Sequence, residues 1–171
     1  MNDELQIRSQ KIAESNAASV VYATTRFFLR LVLWSYLRVE VTGRENLAGK
    51  DAIIMAPVHR SNLDSILLAP LSRRRMRALA KESLFKIRPF AWYISALGAF
   101  PIRRGSADRE SVKTARSLLE KGATMLVFPE GTRQEGNKIG ELFDGTAYLA
   151  AKSQVPVVPI GISGSENAMG T

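Results

Sequence analysis

The 171-residue sequence contains no cysteine and only one histidine. Without cysteine the chain forms no disulfides, builds no zinc–thiolate site and has no thiol nucleophile. The redox compartment stays open, although a cytosolic setting fits. The sequence also lacks a Gly-x-Ser-x-Gly elbow, and a serine hydrolase of that kind needs a histidine downstream of its serine. Any chemistry that depends on an imidazole must therefore use His59.

The sequence also lacks a long uninterrupted hydrophobic run. Its first residues are acidic rather than basic, so no secretory signal peptide is visible. The best candidate for a membrane span, Ala17 to Val39, is interrupted by Arg26, Arg30 and Arg38. Its uncharged pieces are shorter than the roughly 20 apolar residues that a span requires. The sequence predicts neither export nor a transmembrane helix.

Composition and charge limit the class of protein. Hydrophobic residues make up 46% of the chain and charged residues 23%, without a repeat or a low-complexity tract. These values are typical of one globular domain with a real core. The 24 Lys and Arg residues exceed the 16 Asp and Glu residues, which gives a formal charge of +8. A surplus of this size indicates an anionic partner, which is nucleic acid, an acidic lipid surface or a phosphorylated substrate.

Neither proline nor glycine occurs between residues 4 and 38. In this segment Phe27, Leu31, Trp34 and Leu37 recur at helical spacing, with arginines at the margins. The pattern predicts one long helix or two. Aromatic and leucine side chains beside arginines suit a helix that lies in the headgroup region of a membrane. The alternative is a helix packed on the rest of the domain.

After Gly43 short apolar runs alternate with helical patterns. This order is typical of an α/β fold with a mostly parallel sheet flanked by helices. A further short run, Val39 to Val41, is a candidate edge strand. The predicted strands are Ala52 to Ala56, Arg77 to Ala80, Phe100 to Ile102, Ala123 to Phe128 and Val155 to Ile160, and the predicted helices are Asn62 to Leu71, Pro89 to Ala96, Ala107 to Lys121 and Gly145 to Lys152.

His59 follows the first of these strands and stands five residues before Asp64. The carboxyl end of a strand in an open α/β sheet faces the crevice where such folds bind ligands. Ser61 or Asn62 would cap the next helix, so that Asp64 folds back toward the imidazole. A carboxylate on one ring nitrogen leaves the other free to accept a proton. The spacing therefore predicts a general-base pair, the alternative being an ordinary histidine.

Two other predicted strands end in polar residues that should reach the same edge of the sheet. Glu130 and Arg133 follow one of them, with Gly131 placed to allow a tight turn. Arg103 and Arg104 follow the other, and guanidinium groups match the geometry of phosphate. These positions favour a phosphate-binding role, the alternatives being a polar turn and a solvated basic pair.

The run from Arg73 to Arg77 contains four arginines and is the most basic part of the chain. It has no interleaved aromatic residues, and the sequence has no zinc-finger, RNP-type or glycine-rich nucleotide motif. We therefore expect no nucleic-acid partner. A cationic surface near an anionic bilayer is the preferred interpretation, and a solvated loop is the alternative.

The three polar segments that follow strands, together with the apolar run Val155 to Pro159, resemble in order and separation the glycerolipid acyltransferase family, whose bacterial members include 1-acylglycerol-3-phosphate acyltransferases. The resemblance covers residues 58 to 160, and its third block is the most specific. The departures are an arginine at position 103 and an aspartate at position 144. The blocks are His59 to Asp64; Gly98, Ile102 and Arg104; Phe128 to Arg133; and Val155 to Pro159.

The resemblance implies direct transfer of an acyl group from acyl-CoA or an acyl carrier protein thioester to a glycerol-phosphate lipid, most simply 1-acylglycerol-3-phosphate to give phosphatidic acid. No cofactor and no metal is implied. The alternatives are glycerol 3-phosphate or another lysolipid as acceptor, and a basic lipid-binding module without activity. The implied roles are base for His59, orientation for Asp64, acceptor binding for Arg104, Glu130, Gly131, Thr132 and Arg133, and the acyl-donor side for Pro156.

The resemblance also implies an organisation for the chain. Residues 1–38 would form a membrane-associating helical segment, and residues 39–171 the acyltransferase domain. Relatives usually continue for several elements beyond the fourth block, so this domain is expected to be a short or truncated member. The expected location is the cytoplasmic face of an anionic membrane, as a peripheral or monotopic protein.

Overall fold

The computed structural model describes residues 3–49, 51–72, 74–102, 109–135 and 138–169. Two helices, α1 and α2, come first, and five strands then alternate with helices. The bounds in chain order are α1 Asp3–Glu14, α2 Asn16–Phe28, a π-helical segment Leu29–Trp34, a 3-10 turn Arg44–Leu47, β1 Ile53–Pro57, α3 Asp64–Leu68, β2 Met76–Lys81, a 3-10 turn Glu82–Phe85, α4 Arg88–Ala96, β3 Ala99–Ile102, α5 Arg109–Glu120, β4 Thr124–Leu126, α6 Gly145–Ser153, β5 Val157–Ile160 and α7 Ser165–Ala168.

The five strands form one sheet in the order β3-β2-β4-β1-β5, and every neighbouring pair is parallel. The predicted fold class is therefore confirmed. Because the strands are parallel, the loops after β1 and β4 leave from the same edge of the sheet, and these two strands are neighbours. This topology brings the loop that carries His59 beside the loop that carries Glu130.

Alternation along the central strands sends side chains into two hydrophobic layers. Ile54 and Met125 pack with Leu119 of α5 and Leu149 of α6 on one face. Their chain neighbours Met55 and Leu126 pack on the other face with residues of α3 and with Trp34. The sheet is thus covered on both faces, which fixes the register of β1 and β4 and holds the two loops in place.

The N-terminal segment is two helices, separated at Ser15. The hydroxyl of Ser15 accepts from the backbone N–H of Ala18 and so caps α2. The helices are attached to the domain by specific hydrogen bonds: the hydroxyl of Tyr22 donates to the carbonyl of Arg74, and the indole of Trp34 donates to the carbonyl of Leu67. Helix α2 and the π-helical segment are therefore packed on the domain, which is the alternative to a helix lying only in a membrane.

The segment Val39 to Val41 is not an edge strand, contrary to the sequence-based prediction. Arg38 has a φ of 51°, a left-handed conformation that ends the helix and turns the chain. The N–H of Val39 then donates to the carbonyl of Trp34, which holds it against the helix end and away from the sheet. A short apolar run alone does not distinguish such a loop from a strand.

The basic run is not a free cationic patch in the part of the chain that the structure describes, which excludes Arg73. The guanidinium of Arg74 donates to the carbonyls of Asp51 and Gly122, and that of Arg75 to a carbonyl of α1. Arg77 lies within β2 and is only partly exposed. These arginines tie loops and α1 to the edge of the sheet where the strands begin, opposite the edge that carries His59.

Gly98 allows β3 to approach β2 closely. Its φ is 102°, and a Cβ at this position would collide with the carbonyl oxygen of Met76. The N–H of Ala78 donates to the carbonyl of Gly98, so this contact joins the ladder between the two strands. Gly98, one of the residues that carries the family resemblance, is therefore explained by packing of the sheet rather than by contact with a substrate.

Candidate functional site: a His–Asp pair at the carboxyl edge of the sheet

The structure brings His59 and Asp64 into direct contact. Nδ1 of His59 lies 2.9 Å from Oδ2 of Asp64. The His59 side chain is 13% exposed and that of Asp64 is 0% exposed, so the imidazole reaches the surface while the carboxylate lies beneath it. With Nδ1 protonated toward the carboxylate, the lone pair is on Nε2, which has no hydrogen-bond partner among the described residues.

The carboxylate of Asp64 accepts hydrogen bonds from three donors in addition to the imidazole of His59. Its Oδ2 also accepts from the backbone N–H groups of Arg60, at 2.6 Å, and Ser61, at 2.8 Å. Its Oδ1 accepts from the hydroxyl of Ser165 at 2.6 Å. Burial by itself raises the pKa of Asp64, but the hydrogen bonds from His59, Ser165, Ser61 and Arg60 outweigh it and hold that pKa below its ordinary value. The carboxylate is therefore ionised at neutral pH.

The local structure that presents Asp64 differs from the predicted cap. Helix α3 begins at Asp64 and ends at Leu68, shorter than predicted, and its N-cap residue Leu63 makes no side-chain capping bond. The hydroxyl of Ser61 accepts from the N–H of Leu63, but Asn62 does not cap the helix. The aspartate itself turns back onto N–H groups of the preceding loop, because buried backbone donors outside helices and strands need an acceptor.

The ring of Phe128 stacks on the imidazole of His59. The two ring centroids are 4.0 Å apart, with an angle of 24° between the planes. The imidazole is thus fixed by the carboxylate at Nδ1 and by an aromatic ring on one face. Such stacking restricts rotation of the imidazole and so helps to keep Nδ1 in line with the carboxylate.

Glu130 lies beneath this pair and is 1% exposed. Its Oε2 accepts from the backbone N–H of His59 at 2.6 Å, and its Oε1 accepts from the N–H of Gly140 at 2.8 Å. The guanidinium of Arg60, itself only 5% exposed, lies 3.4 Å from Oε1. The carbonyl of His59 also accepts from the N–H of Gln134 at 2.9 Å. Glu130 therefore holds the loop after β1 onto the loop after β4.

The neighbours of Glu130 in the third block face outward. Gly131 has a φ of 65°, which gives the turn that the sequence predicts. Thr132 is exposed and its hydroxyl accepts from Gln134. Arg133 is exposed, and its guanidinium donates to the side chain of Asn62, two residues before Asp64. Of the residues assigned to acceptor binding, Thr132 and Arg133 are thus accessible beside the pair.

Of the two other predicted site residues, one is outside the described part of the chain and the other lies elsewhere in the fold. Arg104 lies outside the described residues. Pro156 precedes β5, and the register that pairs Ile54 with Val157 puts it at the edge where the strands begin. A strand rises about 3.3 Å per residue, so Pro156 lies about 20 Å along the sheet from His59. The structure does not bring Pro156 to the pair.

A cavity of about 680 Å³ runs along β5 and adjoins the pair on the Asp64 side. Apolar side chains from the π-helical segment, α3 and the carboxyl half of β5 line it, among them Trp34, Leu67 and Ile160. Ser165, the donor to Asp64, is also part of its wall, whereas His59 is not. The end of β5, rather than its start at Pro156, therefore borders this cavity, whose wall also carries polar side chains such as Arg38 and Glu40.

The described residues contain no group of three or more His, Asp or Glu side chains placed to hold a metal ion. Two residues that the sequence did not single out do belong to the site. The sequence does not indicate a site role for Arg60, because a buried arginine is uncommon and its partner Glu130 is 70 residues away. The sequence does not indicate a role for Ser165 either, because only the tertiary fold brings its hydroxyl to Asp64. The result is an α/β domain with an oriented imidazole at the carboxyl edge of its sheet.

A family model described as Acyltransferase matches residues 38–163 of the chain. The match includes both members of the pair and the whole sheet. The chain therefore belongs to the acyltransferase family, as the four sequence blocks indicate.

Named proteins are similar to most of the chain. The chloroplastic 1-acyl-sn-glycerol-3-phosphate acyltransferase of Brassica napus is 30% identical over 149 residues, which are 85% of this chain and 43% of the relative. The enzyme of the same name from Pseudomonas aeruginosa is 32% identical over 127 residues, 72% of this chain and 49% of the relative. The chain thus spans about half the length of these curated relatives.

One solved structure is similar over nearly the whole chain. It is the crystal structure of the 1-acyl-sn-glycerophosphate acyltransferase from Thermotoga maritima, with a TM-score of 0.72 and 28% sequence identity. The similarity covers 95% of this chain and 66% of the other. The parallel sheet and the N-terminal helices therefore belong to a fold already seen in this family.

Proposed function

We propose that this chain transfers a fatty acyl group from a thioester to the hydroxyl of 1-acylglycerol-3-phosphate, which gives phosphatidic acid. The observation that carries the proposal is the contact between Nδ1 of His59 and Asp64, which leaves Nε2 without a hydrogen-bond partner among the described residues on a partly exposed imidazole. The relatives named 1-acyl-sn-glycerol-3-phosphate acyltransferases support the choice of acceptor.

In this proposal the acceptor hydroxyl lies about 3 Å from Nε2 of His59. As the hydroxyl oxygen attacks the thioester carbonyl, its proton passes to Nε2, and the buried carboxylate of Asp64 stabilises the imidazolium. Collapse of the tetrahedral intermediate breaks the carbon–sulfur bond. The imidazolium then protonates the departing thiolate, so the products are an ester and a thiol. No acyl-enzyme intermediate is required.

The phosphate of the acceptor would meet exposed cationic and hydroxyl groups beside the pair. Arg133 and Thr132 are our candidates for this role, and their exposure in the turn that follows Glu130 supports it. The role of Arg104, which lies outside the described residues, remains a prediction from the sequence. Glu130 contributes through the loop it holds rather than by contact with the acceptor, because its carboxylate is buried.

The acceptor and donor are tested in one assay. Radiolabelled acyl-CoA is incubated with the purified full chain and either 1-acylglycerol-3-phosphate or glycerol 3-phosphate, and an acyl carrier protein thioester replaces acyl-CoA in a parallel set. We expect labelled phosphatidic acid to form faster than labelled 1-acylglycerol-3-phosphate. Faster acylation of glycerol 3-phosphate would show that glycerol 3-phosphate, and not 1-acylglycerol-3-phosphate, is the acceptor. Binding of lipid without transfer from either donor would leave a lipid-binding module instead of an enzyme.

We also propose that α2 and the π-helical segment hold the protein at an anionic membrane surface. By length and composition, Asn16–Trp34 also qualifies as a candidate span, and only 17% of its most apolar window is buried. The guanidinium of Arg30 lies 5.9 Å from the centre of the Trp34 ring, a cation–π contact that keeps a positive charge beside this surface. The cytoplasmic side remains a prediction from the sequence. The exposed large apolar side chains of these two segments are Val20, Phe27, Phe28, Leu31 and Val32.

Sedimentation with vesicles of phosphatidylcholine and phosphatidylglycerol tests this proposal. The double variant Phe27→Ser/Phe28→Ser should lose most of its bound fraction, because it removes two exposed rings from the lipid-facing surface. The matched control is Val112→Ser/Tyr148→Ser, which removes two exposed apolar side chains from α5 and α6. Equal binding of the two double variants would show that the α2 surface is not the contact.

A further inference from the structure

The segment that follows β5 returns over the loop that carries His59. Residues 161–169 leave β5 at the carboxyl edge and make two polar contacts with that loop. The hydroxyl of Ser165 donates to Oδ1 of Asp64 at 2.6 Å, and the hydroxyl of Ser61 donates to the carbonyl of Met169 at 2.5 Å. The partners are 101 and 108 residues apart in the chain, so only the tertiary fold brings them together.

Ser165 contacts the oxygen of Asp64 that faces away from the imidazole. Oδ2 accepts from His59, Arg60 and Ser61, whereas Ser165 is the one donor to Oδ1 among the described residues. Ser165 is 4% exposed, and the Asp64 side chain is fully buried. Water therefore has little access to this oxygen. An acceptor left without a donor in such a place is destabilised by its full desolvation cost.

We propose that Ser165 is a positioning residue for the His59–Asp64 pair. Its hydroxyl holds Oδ1, so that Oδ2 stays in line with Nδ1 of His59. The proton is thereby kept on Nδ1 and the lone pair on Nε2, where the acceptor hydroxyl is expected. Ser165 acts through Asp64 and does not touch the substrate. The effect on rate rests on the proposed function, whereas the effect on the imidazole does not.

The single histidine makes this proposal directly measurable. In ¹⁵N-labelled protein the imidazole resonances come from His59 alone, and they report which ring nitrogen carries the proton. We expect Ser165→Ala to lower the population of the Nδ1–H form. With lysophosphatidate as acceptor, kcat should fall about tenfold, the value of one buried hydrogen bond to a charged group, while the KM for that acceptor stays the same.

Two further variants separate positioning from a general loss of structure. Ser165→Thr keeps the hydroxyl and should restore both the Nδ1–H population and kcat. Ser95→Ala is the matched control, because Ser95 is 1% exposed and its hydroxyl donates to Ser9, away from the pair. This control should leave the imidazole resonances and kcat unchanged. Thermal unfolding is recorded for each variant.

The proposal is overturned if Ser165→Ala is folded and keeps the Nδ1–H population of the unmodified protein. It is also overturned if Ser95→Ala changes the imidazole resonances to the same extent. Should Ser165→Ala not fold, Ser165→Cys decides, because a thiol has nearly the same size and is a weaker donor. A folded Ser165→Cys protein with unchanged imidazole resonances then contradicts the proposal. If the unmodified protein transfers no acyl group, the proposed function fails and the imidazole spectra still decide the role of Ser165.

Discussion

Replacing His59 by alanine is expected to lower kcat for acyl transfer by about 10²-fold or more, because no other imidazole is available to accept the proton. The fold should persist. The contacts that hold this loop to Glu130 and Gln134 use the backbone N–H and carbonyl of His59, and alanine retains both. The substitution removes the stacking on Phe128, which is a modest packing loss at a partly exposed side chain.

The measurement is a steady-state assay with acyl-CoA and lysophosphatidate, paired with an unfolding curve for each protein. Asp64→Asn should also lower kcat by about 10²-fold or more, since an amide does not stabilise the imidazolium as a carboxylate does. A matched control is Asp144→Asn, an exposed aspartate just before α6. Near-normal transfer by a folded His59→Ala protein would refute the assignment of the base.

Replacing Glu130 by alanine is expected to destabilise the protein by about 3–5 kcal/mol, the usual cost of breaking a buried ion pair. The guanidinium of Arg60 would remain buried without a counter-charge, and the N–H groups of His59 and Gly140 would lose their acceptor. Glu130→Gln should cost less, because the amide oxygen still accepts one hydrogen bond. Denaturant unfolding gives these free energies directly.

The same variants distinguish two roles for Glu130. If it holds the loop of His59, the loss appears in the free energy of unfolding and in kcat. If it binds the acceptor, as the family resemblance implies, the loss appears in the KM for lysophosphatidate while stability is retained. The control is Glu141→Ala, since Glu141 is an exposed glutamate of the same loop. A Glu130→Ala protein as stable as this control would contradict the structural role.

The N-terminal segment shows what a pattern of residues leaves undecided. Spacing of Phe27, Leu31 and Trp34 predicts helix, and helix is present. The same spacing does not say which face meets the domain, because an amphipathic helix on a sheet and one at a membrane carry similar residues. The fold answers this for Trp34, whose indole bonds to Leu67, while Phe27 and Leu31 remain exposed.

The basic run from Arg73 to Arg77 shows that charge alone does not reveal how arginines are used in a fold. Four arginines within five positions indicate an anionic partner when charge alone is considered. In the fold, Arg74 and Arg75 satisfy backbone carbonyls of distant loops and of α1. Carbonyls at chain turns need donors, and a long guanidinium supplies several at once. Nothing in the local sequence distinguishes this use from a binding surface.

The sequence by itself determined the alternation of strands and helices and the contact between His59 and Asp64. Both depend on short-range order: apolar periodicity sets the elements, and five residues span one loop and the first turn of a helix. The sequence also indicated the family, since its four blocks keep their order and spacing.

Only the tertiary structure decided which side chains surround the pair. Ser165 and Glu130 reach it from 101 and 71 residues away, and no periodicity connects positions so far apart. Strand order decides this, because β4 and β5 both lie beside β1 and end at the same edge. It also put Pro156 at the far edge, because the start of a parallel strand lies opposite its end. Local sequence pattern thus predicted the His59–Asp64 pair, whereas the packing of distant segments placed the side chains of Glu130 and Ser165 against it.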